Sequence, residues 1–453
     1  MAPSISGVVN FEEARRIVEE HAAGVRRART ESSETASLDL LAARGRVLAE
    51  DLIADRDFPP FARATRDGYA VRAADVERMP ARLEVIGEIR AGDSAEGFAV
   101  GAGQAVSIMT GAPVPSGADA VVMVEYTAGV TRGSGVRSVE IQRSVKNGEN
   151  FVPRGAEARA GQVLVERGAR LDHTVIAIAA SVGKSRVQVF RRTRVAVLST
   201  GDEVVEMDAT PGPSQIRNSN SYSLAAQVEE AGGEAVRLAI APDEPARLRE
   251  LIEEGLSCDL LLLTGGVSMG KYDLVEQVVA EIGAEFYFTG AKIQPGKPVV
   301  FGACRSALDA GSSGPGAETG ARSDRLFAAG TRTGVSAPHD LAHYFFGLPG
   351  NPVSTMVTFR LFARPMIDAL AGARAETLNF LKTRLKTEVR AKTGLTRFLP
   401  AVISGEFENS EVELATWQGS GDIAALARTN CYLVVPPDRE IIPAGELVSV
   451  LLP

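Results

Sequence analysis

The stretch CDLLLLTGGVSMGKYDLVEQVVAEIGA, residues 258–284, decides the fold, because a short apolar run passes through a glycine-rich loop into a helical pattern. Upstream, RVAVLST (194–200) and EAVRLAIAP (234–242) are strand-like, whereas NSYSLAAQVEEAG (220–232) and PARLRELIEEGL (245–256) have helical periodicity. Strands that alternate with helices predict a parallel sheet with helices on both faces and right-handed crossovers. Ligands of such sheets bind beyond the carboxyl ends of the strands, so a functional site is expected there.

Sequence of a different character flanks this region. Short alternating segments bounded by Gly, Pro and Asp predict a β-rich unit over residues 82–170, and residues 383–453 predict a small sandwich or barrel. The predicted fold class is therefore multidomain α/β and β: a central parallel α/β sheet domain, a β-rich inserted domain and a small C-terminal β-barrel. The predicted bounds are 1–55 plus 155–190 for an elongated linker domain, 56–154 for the β-rich inserted domain, 191–375 for the α/β domain with a flexible surface segment at 304–340, and 376–453 for the barrel.

Composition limits the classes of function. The chain has 453 residues, and its 49 Lys and Arg against 57 Asp and Glu give a net charge of -8, which argues against a nucleic-acid partner. Three Cys and four His, none at metal-ligand spacing, argue against a disulfide framework and a His-built zinc site. No apolar run approaches the ~20 residues that span a bilayer, and no secretory signal is recognisable. We expect a cytoplasmic protein with small-molecule substrates and no membrane or nucleic-acid partner.

Two glycine- and proline-containing loops follow predicted strands and precede helices. In TGGVSMG (264–270) and GLPGNPVS (347–354), free backbone N–H groups at the sheet edge favour an anionic ligand. Each loop taken alone is also compatible with a structural role in turn or capping chemistry. The candidate substrate-binding residues are Gly265, Gly266, Ser268, Gly270, Pro349, Gly350, Asn351, Pro352 and Ser354.

Carboxylates follow the same strands. Asp202 and Glu203 end the first strand, Asp243 and Glu244 end the second, and Asp273 precedes the helix after the glycine-rich loop. Each one alone is an ordinary cap or first-turn residue. Together, near anion-binding loops, they predict a divalent cation that bridges to phosphate, and oxygen ligands without His favour Mg²⁺. The candidate metal ligands are Asp243, Glu244 and Asp273.

Three further residues are candidates on weaker grounds. Lys297 lies in the stiff turn KIQPGKP (292–298), where its ammonium group can bind a phosphate or another oxyanion. The same sequence is compatible with a solvent-exposed turn lysine that has no such role. Asp67 in ATRDGYA (64–70) and Thr110 in MTGAPVP (109–115) read as turn residues by spacing alone.

With these motifs in view, the sequence closely resembles the MoeA family, the molybdopterin molybdenumtransferases, whose eukaryotic relatives are the E-domains of gephyrin and of the plant cofactor-insertion protein. The matching segments run in order over nearly the whole chain: DGYA, IMTGAPVP, RGAEARAG, LSTGDEV, RNSNSY, APDEP, LTGGVSMG, QPGKP, GLPGNPVS and GSGD. The resemblance implies a Mg²⁺-dependent enzyme that takes adenylylated molybdopterin and molybdate and releases AMP. It also implies a homodimer supplied by a molybdopterin adenylyltransferase upstream.

The resemblance also implies site residues. Matching positions assign catalytic roles to Asp67, Thr110, Glu203, Asp273 and Lys297, and place Asp67 and Thr110 in the cleft of the partner subunit. Two departures stand out: Glu157 replaces a usual Asp in RGAE, and Gln294 replaces a Lys found in some members. Lys292 lies on the same face as Gln294 if strand alternation holds there.

Two rival functions remain open on the sequence. A molybdopterin adenylyltransferase has a similar parallel-sheet domain, but stand-alone adenylyltransferases lack the β-rich flanks. A non-catalytic scaffold, as gephyrin partly is, would be expected to lose the carboxylates that this chain retains. No residue decides between molybdate and tungstate, or which of Asp243 and Glu244 binds metal.

Overall fold

A computed structural model of the chain describes residues 7–32, 34–133, 136–266, 274–305 and 342–452. The candidates Ser268, Gly270 and Asp273, and all but the first two residues of the predicted surface segment 304–340, lie outside these residues. No helix in the described part of the chain combines the length and apolarity needed to cross a membrane.

The β-rich region forms one six-stranded sheet. Its strands, in chain order, are β1 (Gly68–Val71), β2 (Ala81–Ile89), β3 (Gln104–Ile108), β4 (Ala120–Met123), β5 (Thr127–Gly133) and β6 (Val136–Ile141). They are arranged β4-β1-β3-β2-β6-β5, and only β2 and β3 run parallel. The short pairs of Arg63–Ala64 with Phe151–Val152 and Leu52–Ile53 with Val163–Val165 connect this sheet to its neighbours in the chain.

The central sheet contains six strands: β7 (Arg194–Ser199), β8 (Glu234–Arg237), β9 (Leu260–Thr264), β10 (Glu285–Phe288), β11 (Val300–Arg305) and β12 (Ala342–Leu348). The order is β8-β7-β9-β12-β11-β10. The first four strands are parallel, as predicted, whereas β10 and β11 form an antiparallel edge. That edge differs from the expectation because no crossover helix separates β10 from β11, and such a return gives antiparallel pairing.

Helices cover both faces of the central sheet. The helices of the described chain are, in order, α1 (Phe11–Ser32), α2 (His173–Ser181), α3 (Ser219–Glu230), α4 (Pro245–Gly255), α5 (Leu274–Glu281), α6 (Pro352–Thr358), α7 (Arg364–Leu370) and the short α8 (Ile423–Leu426). Among them, α2 packs in a separate apolar cluster, away from the central sheet. Phe359–Ala363 joins α6 to α7 as a π-helical turn. One apolar core lies between the sheet and α1, α3, α6 and α7, and a second lies against α4 and α5. Burial of these two cores fixes the strand ends at one edge, which is where the site forms.

The C-terminal residues form a closed barrel. Its strands are β13 (Phe380–Leu385), β14 (Thr396–Ser404), β15 (Glu411–Leu414), β16 (Cys431–Val435) and β17 (Leu447–Leu451). The order β14-β15-β13-β17-β16 closes through pairing of β16 with β14. Ile293–Gln294 adds to β14 in parallel, so the chain around Lys297 is attached to the barrel. The predicted multidomain α/β and β fold is confirmed, while the exact domain bounds stay a prediction.

Candidate active site

A cleft of about 640 Å³ opens where the parallel strands end. We call it the rim cleft. Its walls come from the ends of β7 and β9, from the start of α3 and from the loop before α6. Gly265, Gly266, Pro349, Gly350, Asn351 and Pro352 all line it, so the structure brings together six of the predicted substrate-binding residues.

Glycine is required in the loop after β9 because the backbone turns sharply against β7. Gly265 has a φ of +91°, and a Cβ there would lie 2.5 Å from the carbonyl oxygen of Thr200. Gly350 of the other loop approaches Gly265 as well, since its own Cβ would meet the Gly265 Cα at 3.4 Å. The two loops therefore pack backbone against backbone, and Gly265 is the position at which a side chain would clash and at which the left-handed φ requires glycine.

Asn220, in the first turn of α3, ties the two loops together. Its Nδ2 donates to Thr264 Oγ1 at 3.0 Å and to the Gly350 carbonyl oxygen at 2.7 Å. The preceding Asn218 caps α3 by accepting from the Ser221 amide, and it also accepts from Ser199 Oγ at 3.0 Å. One segment, RNSN, thus connects β7, β9 and the loop before α6. Sequence reasoning assigned it only a helix start.

The structure gathers acidic side chains beside the cleft. Asp202 Oδ1 accepts from the Asp243 backbone amide at 3.1 Å, and Glu203 lines the cleft and folds back over Gly201. Burial raises the pKa of Asp243, and the neighbouring charges of Asp202 and Glu203 raise it further. Glu244 is the N-cap position of α4 and makes no side-chain cap bond.

Within the described residues, no three Asp, Glu, His or Cys side chains converge closely enough to hold a metal ion. Asp202 and Glu203 nevertheless lie close enough to Asp243 for their negative charges to repel its carboxylate, and a hard cation relieves repulsion of this kind. Asp273, the third predicted ligand, lies outside the described residues.

A smaller pocket of about 300 Å³ adjoins the rim cleft and shares Pro298, Pro349 and Asn351 with it. We call it the lysine pocket, because Lys297 lines it. The predicted Ser354 lines it from α6, and Trp417 and Ser420 line it from the barrel. The carbonyl oxygen of Ser420 accepts from the Val353 amide at 3.0 Å, which holds the barrel loop against α6.

A buried arginine lies next to the lysine pocket. Arg397 pairs in register with Gln294, a pocket residue, and only 8% of its surface is exposed. Its Nη2 donates to the Lys392 carbonyl oxygen, while its Nε has no hydrogen-bond partner in the described part of the chain. Burial lowers its pKa. No local pattern in the sequence indicated this cation, because Arg397 lies in an ordinary strand segment, TRFLPAVIS.

Asp67 and Thr110 form a pair in the β-rich sheet. Asp67 Oδ1 accepts from the Thr110 amide at 2.6 Å and from Thr110 Oγ1 at 2.8 Å. The hydrogen bond from the Thr110 backbone amide, followed by the one from its hydroxyl group, lowers the pKa of Asp67. The pair follows from the register of β1 with β3, which sets Gly68 opposite Ile108. Neither residue belongs to the described lining of the rim cleft or the lysine pocket.

The two departures from the expected motifs are also located. Glu157 accepts from Arg63 Nη2 at 3.3 Å at the surface. Lys292 and Gln294 are both exposed on either side of the buried Ile293, so the alternation that places them on one face holds. Lys292 therefore lies on the same strand face as Gln294, a residue that lines the lysine pocket.

Comparison with known proteins covers nearly the whole chain. Three family profiles match in order: the MoeA N-terminal region (domain I and II) over residues 9–183, a probable molybdopterin binding domain over 196–369, and the MoeA C-terminal region (domain IV) over 382–452. A curated molybdopterin molybdenumtransferase of Nostoc sp. is 34% identical over 427 residues, which covers 92% of this chain and 88% of the relative. The Bacillus subtilis protein of the same name is 31% identical, covering 90% and 87%.

Solved structures agree with the sequence relatives. The molybdopterin biosynthesis MoeA protein of Pyrococcus horikoshii OT3 superposes with a TM-score of 0.70 at 26% identity, covering 98% of this chain and 100% of that one. A second structure of a MoeA protein from a Pyrococcus species gives a TM-score of 0.63 at 30% identity, covering 98% and 99%.

Proposed function

Because the chain belongs to the MoeA family of molybdopterin molybdenumtransferases, we propose that it inserts molybdenum from molybdate into adenylylated molybdopterin and releases AMP. It is a transferase of molybdenum cofactor biosynthesis. The observation that carries the detailed proposal is the junction of two cavities of different size and charge at one sheet edge. The reaction needs one compartment for a nucleotide-bearing pterin and another for a small oxyanion.

The rim cleft suits the larger substrate. Its volume of about 640 Å³ falls within the range of roughly 300–1,000 Å³ typical of small-molecule sites. Backbone groups of the loop Gly265–Gly266 and of the loop before α6 surround a space at the carboxyl ends of the strands. Ser268 and Gly270, which complete the first loop in sequence, stay predicted contacts.

The lysine pocket suits molybdate. Lys297 supplies an ammonium charge, and the hydroxyl groups of Ser354 and Ser420 offer donors to an oxyanion. The shared Pro298 and Asn351 make the pocket continuous with the rim cleft, so a pterin dithiolate entering from the cleft meets the oxyanion at the boundary. Two Mo–S bonds then form as both thiols of the pterin give up their protons to one oxide ligand of molybdate, which leaves as one water molecule, and molybdenum keeps its oxidation state. A second water attacks the phosphoanhydride and breaks its P–O bond, which releases AMP and leaves the phosphate on the pterin.

The acidic residues beside the rim cleft are the proposed ligands of a Mg²⁺ ion. Asp243 and its neighbour Asp202 supply oxygen donors, and burial, followed by repulsion from Asp202 and Glu203, raises the pKa of Asp243. We propose Asp273 as a further ligand, with Glu244 as the alternative to Asp243. Bound there, the cation would neutralise charge on the phosphoanhydride. Glu203, which lines the cleft directly, is placed to orient the attacking water by accepting its proton in a hydrogen bond.

A homodimer would complete the site. Asp67 and Thr110 are firmly paired yet outside the cleft lining of their own chain, which supports their delivery to the cleft of a partner subunit. The ionised Asp67 would then border the molybdate end. A cytoplasmic location and a molybdopterin adenylyltransferase that supplies the substrate complete the proposal.

The decisive experiment follows AMP release and cofactor formation together. Purified protein is incubated with adenylylated molybdopterin, molybdate and Mg²⁺; AMP is measured by chromatography, and the cofactor by reconstitution of an apo-molybdoenzyme. Lys297→Met should abolish molybdate-dependent product, while Lys386→Met, which removes a surface lysine of the barrel paired with Glu413, should not. Pyrophosphate released from ATP with unmodified molybdopterin would establish the adenylyltransferase instead, and inactivity in both assays would indicate a scaffold.

A further inference from the structure

The side chain of Arg217 is the feature that the proposed function leaves unused. Arg217 ends the two-residue strand Ile216–Arg217, which pairs in parallel with Val204–Val205. Its Nε donates to the Ala209 carbonyl oxygen at 3.1 Å, and the exposed side chain lines the rim cleft. No described carboxylate forms an ion pair with it.

The charge balance of the rim cleft makes this position important. Of the described residues that line the cleft, Arg217 and Glu203 alone carry charge, and Asp202 and Asp243 add negative charge beside it. Lys297 faces the lysine pocket and not the rim cleft. An anionic ligand in the rim cleft therefore meets one fixed cation of the described lining, which is Arg217.

The geometry of the guanidinium suits an oxyanion with two oxygens on one atom, as a phosphate has. The bond from Nε to Ala209 holds one edge of the planar group against the loop 206–215, and this leaves the edge with Nη1 and Nη2 for a ligand. Two parallel N–H donors match two oxygens of one phosphate group. A lysine offers only a point charge and cannot reproduce this fork.

We propose that Arg217 binds the 5′-phosphate of the nucleotide in the rim cleft, so that the cleft selects nucleoside phosphates over nucleosides. This inference rests on the proposed function, because it assigns a contact for the nucleotide part of that substrate. It names a ligand class, nucleoside 5′-monophosphates and their phosphoanhydrides, that AMP itself represents.

Calorimetric titration of the full-length protein with AMP and with adenosine tests the proposal. Arg217→Met should weaken AMP binding by about 10- to 100-fold, the usual effect of losing hydrogen bonds to a charged group, and leave adenosine affinity unchanged. Arg217→Lys should recover part of the loss, because charge returns without the fork. Arg192→Met is the matched control: it removes an exposed arginine just before β7, at the opposite end of that strand.

Each outcome decides the proposal. AMP binding by Arg217→Met at the wild-type affinity would overturn it, and so would an equal loss of AMP and adenosine, which would mean that the loop itself had collapsed. An equal loss of AMP affinity in Arg192→Met would reduce the effect to net charge and overturn it too. If the wild-type protein bound neither AMP nor adenosine, both the proposed function and the Arg217 assignment would fail. If the wild-type protein bound AMP and Arg217→Met bound it equally well, only the Arg217 assignment would fail.

Discussion

Removing the Asn220 side chain should uncouple the two loops of the rim cleft without unfolding the protein. In Asn220→Ala, the bonds to Thr264 Oγ1 and to the Gly350 carbonyl oxygen are both lost. A hydrogen bond contributes about 0.5–1.5 kcal/mol net, so the two together amount to about 1–3 kcal/mol. Both bonds join segments at the site and neither is part of a strand ladder or an apolar core.

The size of the kinetic effect follows from that free energy. If the loops must be held together in the transition state, about 1–3 kcal/mol corresponds to roughly a 5- to 150-fold fall in kcat/KM for AMP release. Because α3 keeps its cap at Asn218 and its core contacts at Leu224 and Val228, the free energy of unfolding should fall by no more than about 1–3 kcal/mol, the contribution of the two lost bonds. Asn220→Asp should be at least as harmful, since a carboxylate oxygen would face the Gly350 carbonyl oxygen.

The assay measures AMP release at several concentrations of adenylylated molybdopterin, with urea unfolding of the same preparations. Asn147→Ala is the control, because Asn147 donates a comparable side-chain bond to Asp119 in the β-rich sheet, at 3.2 Å. Wild-type kcat/KM in Asn220→Ala with unchanged stability would refute the idea that this bridge positions the loops. A large loss of stability would refute the claim that its role is local.

Three further outcomes are expected. Gly265→Ala should lose activity and stability, since it adds about 1–2 kcal/mol of left-handed strain plus a clash at 2.5 Å, whereas Gly103→Ala, also at positive φ but with open space, should show the strain alone in urea unfolding. Without metal, the raised pKa of Asp243 means that the folded state binds this proton more tightly than the unfolded chain. The free energy of unfolding should therefore fall as pH rises from about 4 towards neutral. Added Mg²⁺ should abolish this pH dependence, and a pH dependence that persists in Asp243→Asn would contradict its assignment to Asp243. If two subunits share the site as proposed, the Asp67→Asn and Glu203→Gln variants should each be inactive. Unfolding and refolding them together should then restore about a quarter of the wild-type rate, because half of the dimers are mixed and each mixed dimer has one intact site of two. No recovery would rule out a shared site.

Local sequence patterns predicted most of the architecture of the central domain. The helix predicted over residues 220–232 is observed at Ser219–Glu230, and that predicted over 245–256 at Pro245–Gly255. These predictions succeed because strand and helix periodicity and capping residues report local geometry directly. The antiparallel edge formed by β10 and β11 could not be inferred in this way, because pairing direction depends on contacts between strands and not on either strand alone.

In the candidate site, too, features set by local sequence were predictable and features set by contacts between distant residues were not. The sequence by itself determined that the loops after β9 and β12 share one edge, since neighbouring parallel strands present their carboxyl ends together. Only the tertiary structure decided that Asn220 joins those loops, that Trp417 of the barrel closes a pocket around Lys297, and that Arg217 is the cation facing the rim cleft. Such contacts connect residues far apart in the chain, and their geometry is set by how separate cores pack against one another, which no short-range periodicity encodes.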